Sequence, residues 1–277
     1  MKLGVVLDKP EPIEDFDLTF YHIKSVSGKV SKAAERMHNI VSCFGDNKTA
    51  REKPEWVALS KYDKATRGNK RHNFLWDWVC PTNEDYVKYI LNLIDEASKV
   101  NIAGIHLDCI HFPEEEYCVC QRCVKMWKES KLKWVEWRAN IINEFVEKIS
   151  KLVKANFSIT LYPDPCLSKE RFGIDFTVLA KYVDFFVIPL YDTTYSTTYW
   201  VEALARSFRK RIKVPLYIEL YAGHPRPPVK NIIKAMASVS NYSDGIIFAT
   251  YDASIARSSE VNKMMKILGR LYEELED

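Results

Sequence analysis

A chain of 277 residues that is 47% hydrophobic has material for one large core, and 40 basic against 37 acidic residues leave a formal charge of only +3. That balance excludes a global field drawing the protein to nucleic acid or to anionic lipid. No apolar run reaches the length of a membrane span, and the N-terminal run is broken by Asp8 and Pro10, so the expectation is a single cytoplasmic domain over residues 1–277.

Short β-branched or aromatic runs alternate with longer stretches of helical spacing. Strands are expected at Leu3 to Leu7, Leu18 to Ile23, Trp56 to Tyr62, Gly104 to Cys109, Phe157 to Tyr162, Phe185 to Tyr191, Leu216 to Tyr221 and Gly245 to Tyr251. Helices are expected at Ser31 to Cys43, Asp85 to Val100, Cys123 to Ala155, Asp175 to Tyr182, Val201 to Lys210, Val229 to Ser240 and Ser258 to Leu275. Eight strands joined mostly by helices point to an α/β fold, a (β/α)8 TIM barrel that is irregular at its first two strands, where Asp8 to Asp17 is too short for a helix. The glycine-rich phosphate turns GxGxxG and GxxxxGK[ST] are both missing from the sequence, which argues against an open nucleotide-binding sheet.

Catalytic groups of such barrels sit at the C-terminal ends of the strands. Period-2 alternation puts Gly104, His106 and Asp108 on one face of the fourth strand and Ile105, Leu107 and Cys109 on the other, so Asp108 faces the axis. The same reading turns Tyr162 and Asp164 inward on the fifth strand, leaves Tyr191 and Asp192 at the tip of the sixth, and places Glu219 and Tyr221 inward on the seventh. On the eighth, Tyr251 faces inward and Asp252 lies on the rim. Carboxylates among aromatic rings suit a sugar site, because ring faces cover C–H surfaces and acids bind hydroxyls. Glycosidic cleavage needs one protonated carboxyl and one ionised. Asp108 is the candidate nucleophile or charge stabiliser, and Glu219 or Asp192 the proton donor. Candidate sugar contacts are Tyr62, Trp76, Trp78, His106, His111, Asp164, Tyr191, Tyr221 and Tyr251. The basic, aromatic loop from Asp63 to Asp77 would be a lid or platform carrying some of them. The lysines of Val124 to Arg138 alternate with glutamates, a solvated helix face and not a nucleic-acid surface.

Seven cysteines without an export signal point to metal or buried thiols before a disulfide framework. The single glutamine, Gln121, beside abundant Lys, Glu and Ile is a thermophile-like bias that keeps a disulfide open. Cys118, Cys120 and Cys123 could wrap a tetrahedral ion, with Cys80 as fourth ligand and Cys109 as its rival. Four thiolates would leave no open position, so the implied cofactor is a structural zinc.

The run GIHLDCIHFP, with WVCP upstream and VDFFVIPLYD and SDGIIFATYD downstream, resembles a group of glycoside-hydrolase-like TIM-barrel proteins whose fourth strand reads approximately G-I-H-L-D-x-I-R-[FY]-P. That resemblance implies that Asp108 is catalytic. CVCQRC with an upstream cysteine is similar to the structural zinc site of the β-galactosidases of glycoside hydrolase family 42, which implies Cys80, Cys118, Cys120 and Cys123 as one set. His111 stands where arginine is usual and Cys109 where an aromatic residue is common. The expected function is hydrolysis of an oligo- or polysaccharide, and the alternative is a non-catalytic carbohydrate-binding barrel.

Overall fold

The computed structural model describes residues 1–250; Tyr251, Asp252 and the expected closing helix lie outside them. Eight strands close into a barrel in chain order: β1 (Lys2–Leu7), β2 (Leu18–Lys24), β3 (His38–Ser42), β4 (Gly104–Asp108), β5 (Asn156–Thr160), β6 (Phe185–Pro189), β7 (Leu216–Tyr221) and β8 (Gly245–Ala249). Closure removes the sheet edges, β8 returning to β1 with Gly245 opposite Lys2 and Ala249 opposite Val6. The barrel class is the one expected, and its start is irregular as expected: only a loop joins β1 to β2.

The described helices are α1 (Asn47–Glu52) and α2 (Glu84–Ser98) between β3 and β4, α3 (Gln121–Ser130) and α4 (Trp134–Ser150) between β4 and β5, and α5 (Ser168–Phe172) and α6 (Phe176–Leu179) before β6. After them come α7 (Tyr199–Arg211) and α8 (Val229–Val239). None is long and apolar enough to cross a membrane. In α2, Asn83 caps the first turn by accepting the Tyr86 N–H, Glu84 and Asp85 face the positive helix end, and Tyr86, Ile90 and Ile94 bury one stripe.

Two expectations are corrected. The third strand is His38–Ser42, inside the segment expected to be helical, and not Trp56 to Tyr62. Buried Asn39 accepts the Ala34 N–H at 2.7 Å and donates to the Ala34 and Met37 carbonyls, clamping the preceding turn, and Arg36 takes a left-handed φ of 58°. Pairing of all five β3 residues with β4 overrides the helix propensity of the alanines before it. The Trp56 to Tyr62 run instead makes single antiparallel bridges, Val57 to Val79 and Leu59 to Lys64. The expected long helix from Cys123 to Ala155 is two, broken where Lys131 turns left-handed at φ 58°.

The chain divides into two compact units, one of Met1–Tyr21, Leu161–Pro165 and everything from Phe185 onward, the other of His22–Thr160 and Cys166–Asp184. In the first unit, β1 and β2 pair from Gly4 and Leu18 to Leu7 and Tyr21, and β7 pairs with both β6 and β8. In the second, Gly104 lies so close to its neighbours that a Cβ would stand 2.5 Å from His38 Nδ1 and 2.6 Å from the Asn156 carbonyl, so β4 can begin only with glycine.

The second unit is pinned by Arg138 of α4, which is fully buried. Its guanidinium donates to the carbonyls of Glu170 (2.7 Å), Glu114 (2.6 Å) and Arg171 (2.8 Å) and lies over the Phe112 ring. Burial lowers its pKa to about 10, so the charge persists at neutral pH. Arg138→Leu leaves three carbonyls without their donor and should lower unfolding free energy in urea by about 3 kcal/mol or more, with Arg138→Lys intermediate because one ammonium cannot reproduce the planar fork.

Candidate functional site

β4 ends on the carboxylate expected to be catalytic. Its residues are paired with β3 from His38–Gly104 to Ser42–Asp108, and the pairing continues one step through Cys43 N–H to the Asp108 carbonyl and Phe44 N–H to the Cys109 carbonyl. Below the tip, His106 is buried and its ring nitrogens lie 2.8 Å from Ser158 Oγ and 2.7 Å from Thr160 Oγ1 of β5. The polar face of β4 read from alternation therefore meets the hydroxyls of β5. Burial, aided by His38 and His22, lowers the His106 pKa to about 3, so it is a neutral hydrogen-bonding residue at working pH.

Asp108 is half-buried, the one residue of β4 that is not fully covered. Burial raises its pKa, opposed by the charge of nearby His22 and by the Cys109 N–H, which donates to Asp108 Oδ1 at 2.8 Å. Burial conversely lowers His22, opposed by Asp108. Cys109 itself sits at φ 52°, a left-handed conformation that side-chain-bearing residues adopt rarely, and bends the chain away from the carboxylate.

Beside this tip, Gly45 admits Trp76 and Cys109 so closely that a Cβ there would lie 2.8 Å from the indole Cδ1 and 3.0 Å from Sγ. Trp76 is half-buried, and its indole N–H is buried with no hydrogen-bond partner among the described residues. Trp78 is buried, its ring 4.6 Å from that of His111, which in turn packs on Phe172. His111 Nδ1 lies 2.7 Å from the Phe112 carbonyl, and burial lowers its pKa to about 4. Of the two tryptophans expected as sugar platforms, only Trp76 presents surface. Tyr62 is 62% exposed under Lys61 and Arg71.

In the first unit, Tyr191, Asp192, Thr193 and Tyr221 line a cavity of about 450 Å³ after β6 and β7. The two tyrosine rings lie 5.9 Å apart. Asp192 Oδ1 accepts from Thr194 N–H (2.8 Å) and Oγ1 (3.0 Å), which commits that oxygen to a turn. Glu219 on β7 is buried. Tyr195 donates to the Leu190 carbonyl, accepts the Tyr221 N–H, and feels the charge of both Asp192 and Glu219 while burial pushes its hydroxyl up. Asp164 is half-buried in the turn after β5, its N–H bonded to the Tyr162 carbonyl.

The cysteines form the second cluster. Cys80 precedes α2, Cys120 caps α3 and Cys123 lies in its first turn. Their sulfurs all lie within 4.8 Å of one another and could hold a metal ion. Cys123 Sγ is 3.4 Å from both Cys80 and Cys120 and 3.0 Å from Thr82 Oγ1, too far for any S–S bond of ~2.05 Å. Hydrogen bonds from Cys118, then from Cys120 and Cys123, hold the Cys80 thiol well below its ordinary value, while burial pushes Cys118 up. Arg122 donates to Thr82 Oγ1 at 3.1 Å and is held charged by these sulfurs against the cost of burial. Cys109 is buried beside Gly45 and outside this group.

The segment leading into the cluster is stitched to the aromatic loop. Tyr117 donates to Asp63 Oδ1 at 2.5 Å and accepts from Asn69, and Glu116 takes both His72 (2.9 Å) and Arg71 (3.2 Å). Sequence reading missed the fully buried Lys24, whose ammonium donates to the Ser42 carbonyl (2.8 Å) and to Asp46 Oδ2 (3.0 Å). A lysine closing an apolar strand was the available signal, since such a charge needs a partner. Burial would raise the Asp46 carboxyl, but Lys24 and Thr49 outweigh it and hold it low.

Among solved structures, the chain is similar to α-L-fucosidase isoenzyme 2 from Paenibacillus thiaminolyticus, with a TM-score of 0.63 and 13% identity over 99% of this chain and 49% of that one. It thus spans about half the length of that enzyme. The glycoside hydrolase domain of PelA from Pseudomonas aeruginosa aligns with a TM-score of 0.53 and 10% identity over 90% of this chain and 95% of that domain. At these identities the likeness is one of fold. No curated protein matches the sequence. A family model does match, over residues 17–217, and the chain therefore belongs to the family described as "Putative glycosyl hydrolase domain".

Proposed function

We propose that the protein hydrolyses glycosidic bonds with two carboxylates, Asp108 as nucleophile or charge stabiliser and Glu219 or Asp192 as proton donor. The observation that carries the reading is the state of Asp108: half-buried at a strand tip in a glycosyl hydrolase family, with burial raising its pKa against the opposing charge of His22 and the N–H and thiol of Cys109. An acid left undercompensated at a strand end is what catalysis needs and what stability does not. Of the two candidate donors, Glu219 is buried on β7 and Asp192 accepts from Thr194 through Oδ1. Trp76 supports a sugar ligand through its partly exposed ring. Tyr191 and Tyr221, beside a cavity of sugar size, support the same class.

The four cysteines are assigned a structural zinc. Tetrahedral Zn–S bonds of ~2.3 Å put sulfurs ~3.8 Å apart, a few tenths of an ångström beyond the 3.4 Å contacts present. Cys118, a buried free thiol that is not one of the three sulfurs lying within 4.8 Å of one another, is the fourth ligand of this reading and would turn toward them on binding. Arg122 offsets part of the negative charge such a centre carries. The metal would hold the 114–123 segment and, through Tyr117 and Glu116, the aromatic loop.

On a glycan panel, Asp108→Asn should lose hydrolysis by on the order of 10³-fold with KM little changed, and equal rates in both proteins would remove Asp108 from the mechanism. The acidic limb of wild-type kcat/KM should lie above the ordinary aspartate value of ~3.9, because burial raises the group that must ionise. Stability has the opposite sign. A carboxyl raised in the folded state binds extra protons there, so the wild type loses stability as pH rises through the folded pKa. Asp108→Asn should therefore gain in Tm over the wild type between pH 3 and pH 7, as two melting series would show. Metal analysis of purified protein should give about one zinc per chain. Cys123→Ser should lower that content and speed amide exchange across residues 63–77, and exchange unchanged in that loop would confine the metal's effect to its own knuckle.

A further inference from the structure

A cavity of about 750 Å³ lies in the second unit, where the turn after β2 faces α1 and the start of α2. It is separate from the β4 tip in its lining, which includes none of Asp108, Trp76 or His106. Its floor is fixed by the buried Lys24–Asp46 pair and by Tyr86, whose hydroxyl donates to the Cys43 carbonyl (2.6 Å) and to Asp46 Oδ2 (3.0 Å). One wall is preformed. Gly28, at φ 83°, is pressed against α1 so tightly that a Cβ would meet Lys48 Cβ at 2.3 Å, and Asn47 N–H donates to the Val26 carbonyl at 2.8 Å.

Two chemistries line this cavity. Trp56, half-buried, and Tyr89, 40% exposed, present aromatic surface as a shelf on either side of the fully buried Tyr86, whose ring lies 6.4 Å from Trp56 and 5.8 Å from Tyr89. Lys29, Lys48, Arg51 and Lys53 surround it, and none of these cations has an ion-pair partner among the described residues; Lys53 only covers Trp56 at 5.6 Å. Glu52 and Asp85 are the acids that Lys24 does not already neutralise. With Asp46 neutralised by Lys24 beneath it, the four cations of the lining face two acids, Glu52 and Asp85, in a chain that is otherwise almost balanced.

We propose that this cavity binds an acidic sugar residue, a carboxylated or sulfated pyranose whose C–H face lies on the aromatic shelf and whose anion meets Lys48 and Arg51. The choice of a sugar rests on the carbohydrate function proposed above; the charge preference comes from this cavity alone. Ring faces bury the apolar side of a pyranose, and a cluster of unpaired cations rewards an anion over its neutral counterpart, an advantage that salt screens.

Calorimetric titration should use short galacturonate oligosaccharides and the same oligosaccharides with their carboxyls reduced to alcohols, against wild type, Trp56→Ala, the double variant Lys48→Gln/Arg51→Gln, and Asp108→Asn. The acidic form should bind wild type and Asp108→Asn alike, roughly tenfold tighter than the reduced form, and weaken with salt. Trp56→Ala should weaken both forms, and the double variant should abolish the preference for the acid. The double variant changes two exposed side chains, so it stays informative if Trp56→Ala does not fold. Equal binding of acidic and reduced sugars, unchanged binding by both cavity variants, or tighter binding of a nucleoside monophosphate would overturn the proposal. Hydrolysis is scored separately: acid-selective binding without turnover of any glycan sinks the catalytic reading and leaves this site, and turnover with unaltered cavity variants does the reverse.

Discussion

The pairing of β3 with β4 is the constraint on which the candidate site depends. Its five residue pairs bring Ser42 opposite Asp108, and two further hydrogen bonds tie the Cys43 and Phe44 N–H groups to the carbonyls of Asp108 and Cys109. On the other side of β4, the register with β5 sets His106 opposite Ser158, and a slip of one residue there would put Leu107 where His106 now meets the Ser158 and Thr160 hydroxyls. The chain leaving β3 then passes through Gly45, whose bridge to Trp78 positions the aromatic loop and, two residues on, Cys80. Carboxylate, indole and cysteine cluster thus take their places from a single register.

The sequence made β4 readable because its signal is local: five residues alternating between small or polar and large apolar ones, ending on an acid. The cysteine spacing is local in the same way, since Cys118, Cys120 and Cys123 fall within one loop and one helical turn. β3 was hidden because HNIVS follows an alanine-rich stretch with better helix propensity, and only its non-local partner makes it a strand. Trp56 to Tyr62 misled for a related reason: its β-rich composition serves isolated bridges in a loop. Trp76, Trp78 and His111 could not be told apart from composition, because what distinguishes them is burial in a loop whose path depends on hydrogen bonds such as Tyr117 to Asp63.

The second unit handles its buried charges in three ways. Lys24 and Asp46 compensate one another, and Tyr86 and Thr49 satisfy remaining positions on the carboxylate. Arg138 has no ion-pair partner among the described residues and is held by three carbonyls. These two arrangements cost desolvation and repay it with hydrogen bonds, so they are structural. Asp108 differs: among these groups it alone keeps both a solvent-facing surface and a pKa displaced toward the neutral form.

The neutrality of His106 sharpens that contrast. Had this imidazole been charged, it would sit one alternation below Asp108 on the same strand face and would stabilise the carboxylate as a fixed counter-ion. Burial instead lowers it to about 3, and its nitrogens are occupied by Ser158 and Thr160, so no protonation in the neutral range can supply that charge. Electrostatic control of Asp108 then falls to His22 on β2 and to the N–H and thiol of Cys109. The backbone donor is fixed by the left-handed bend at Cys109 and does not titrate, whereas His22 does, so any change in the charge of the strand tip with pH must pass through the pair His22 and Asp108 and not through the polar ladder beneath them.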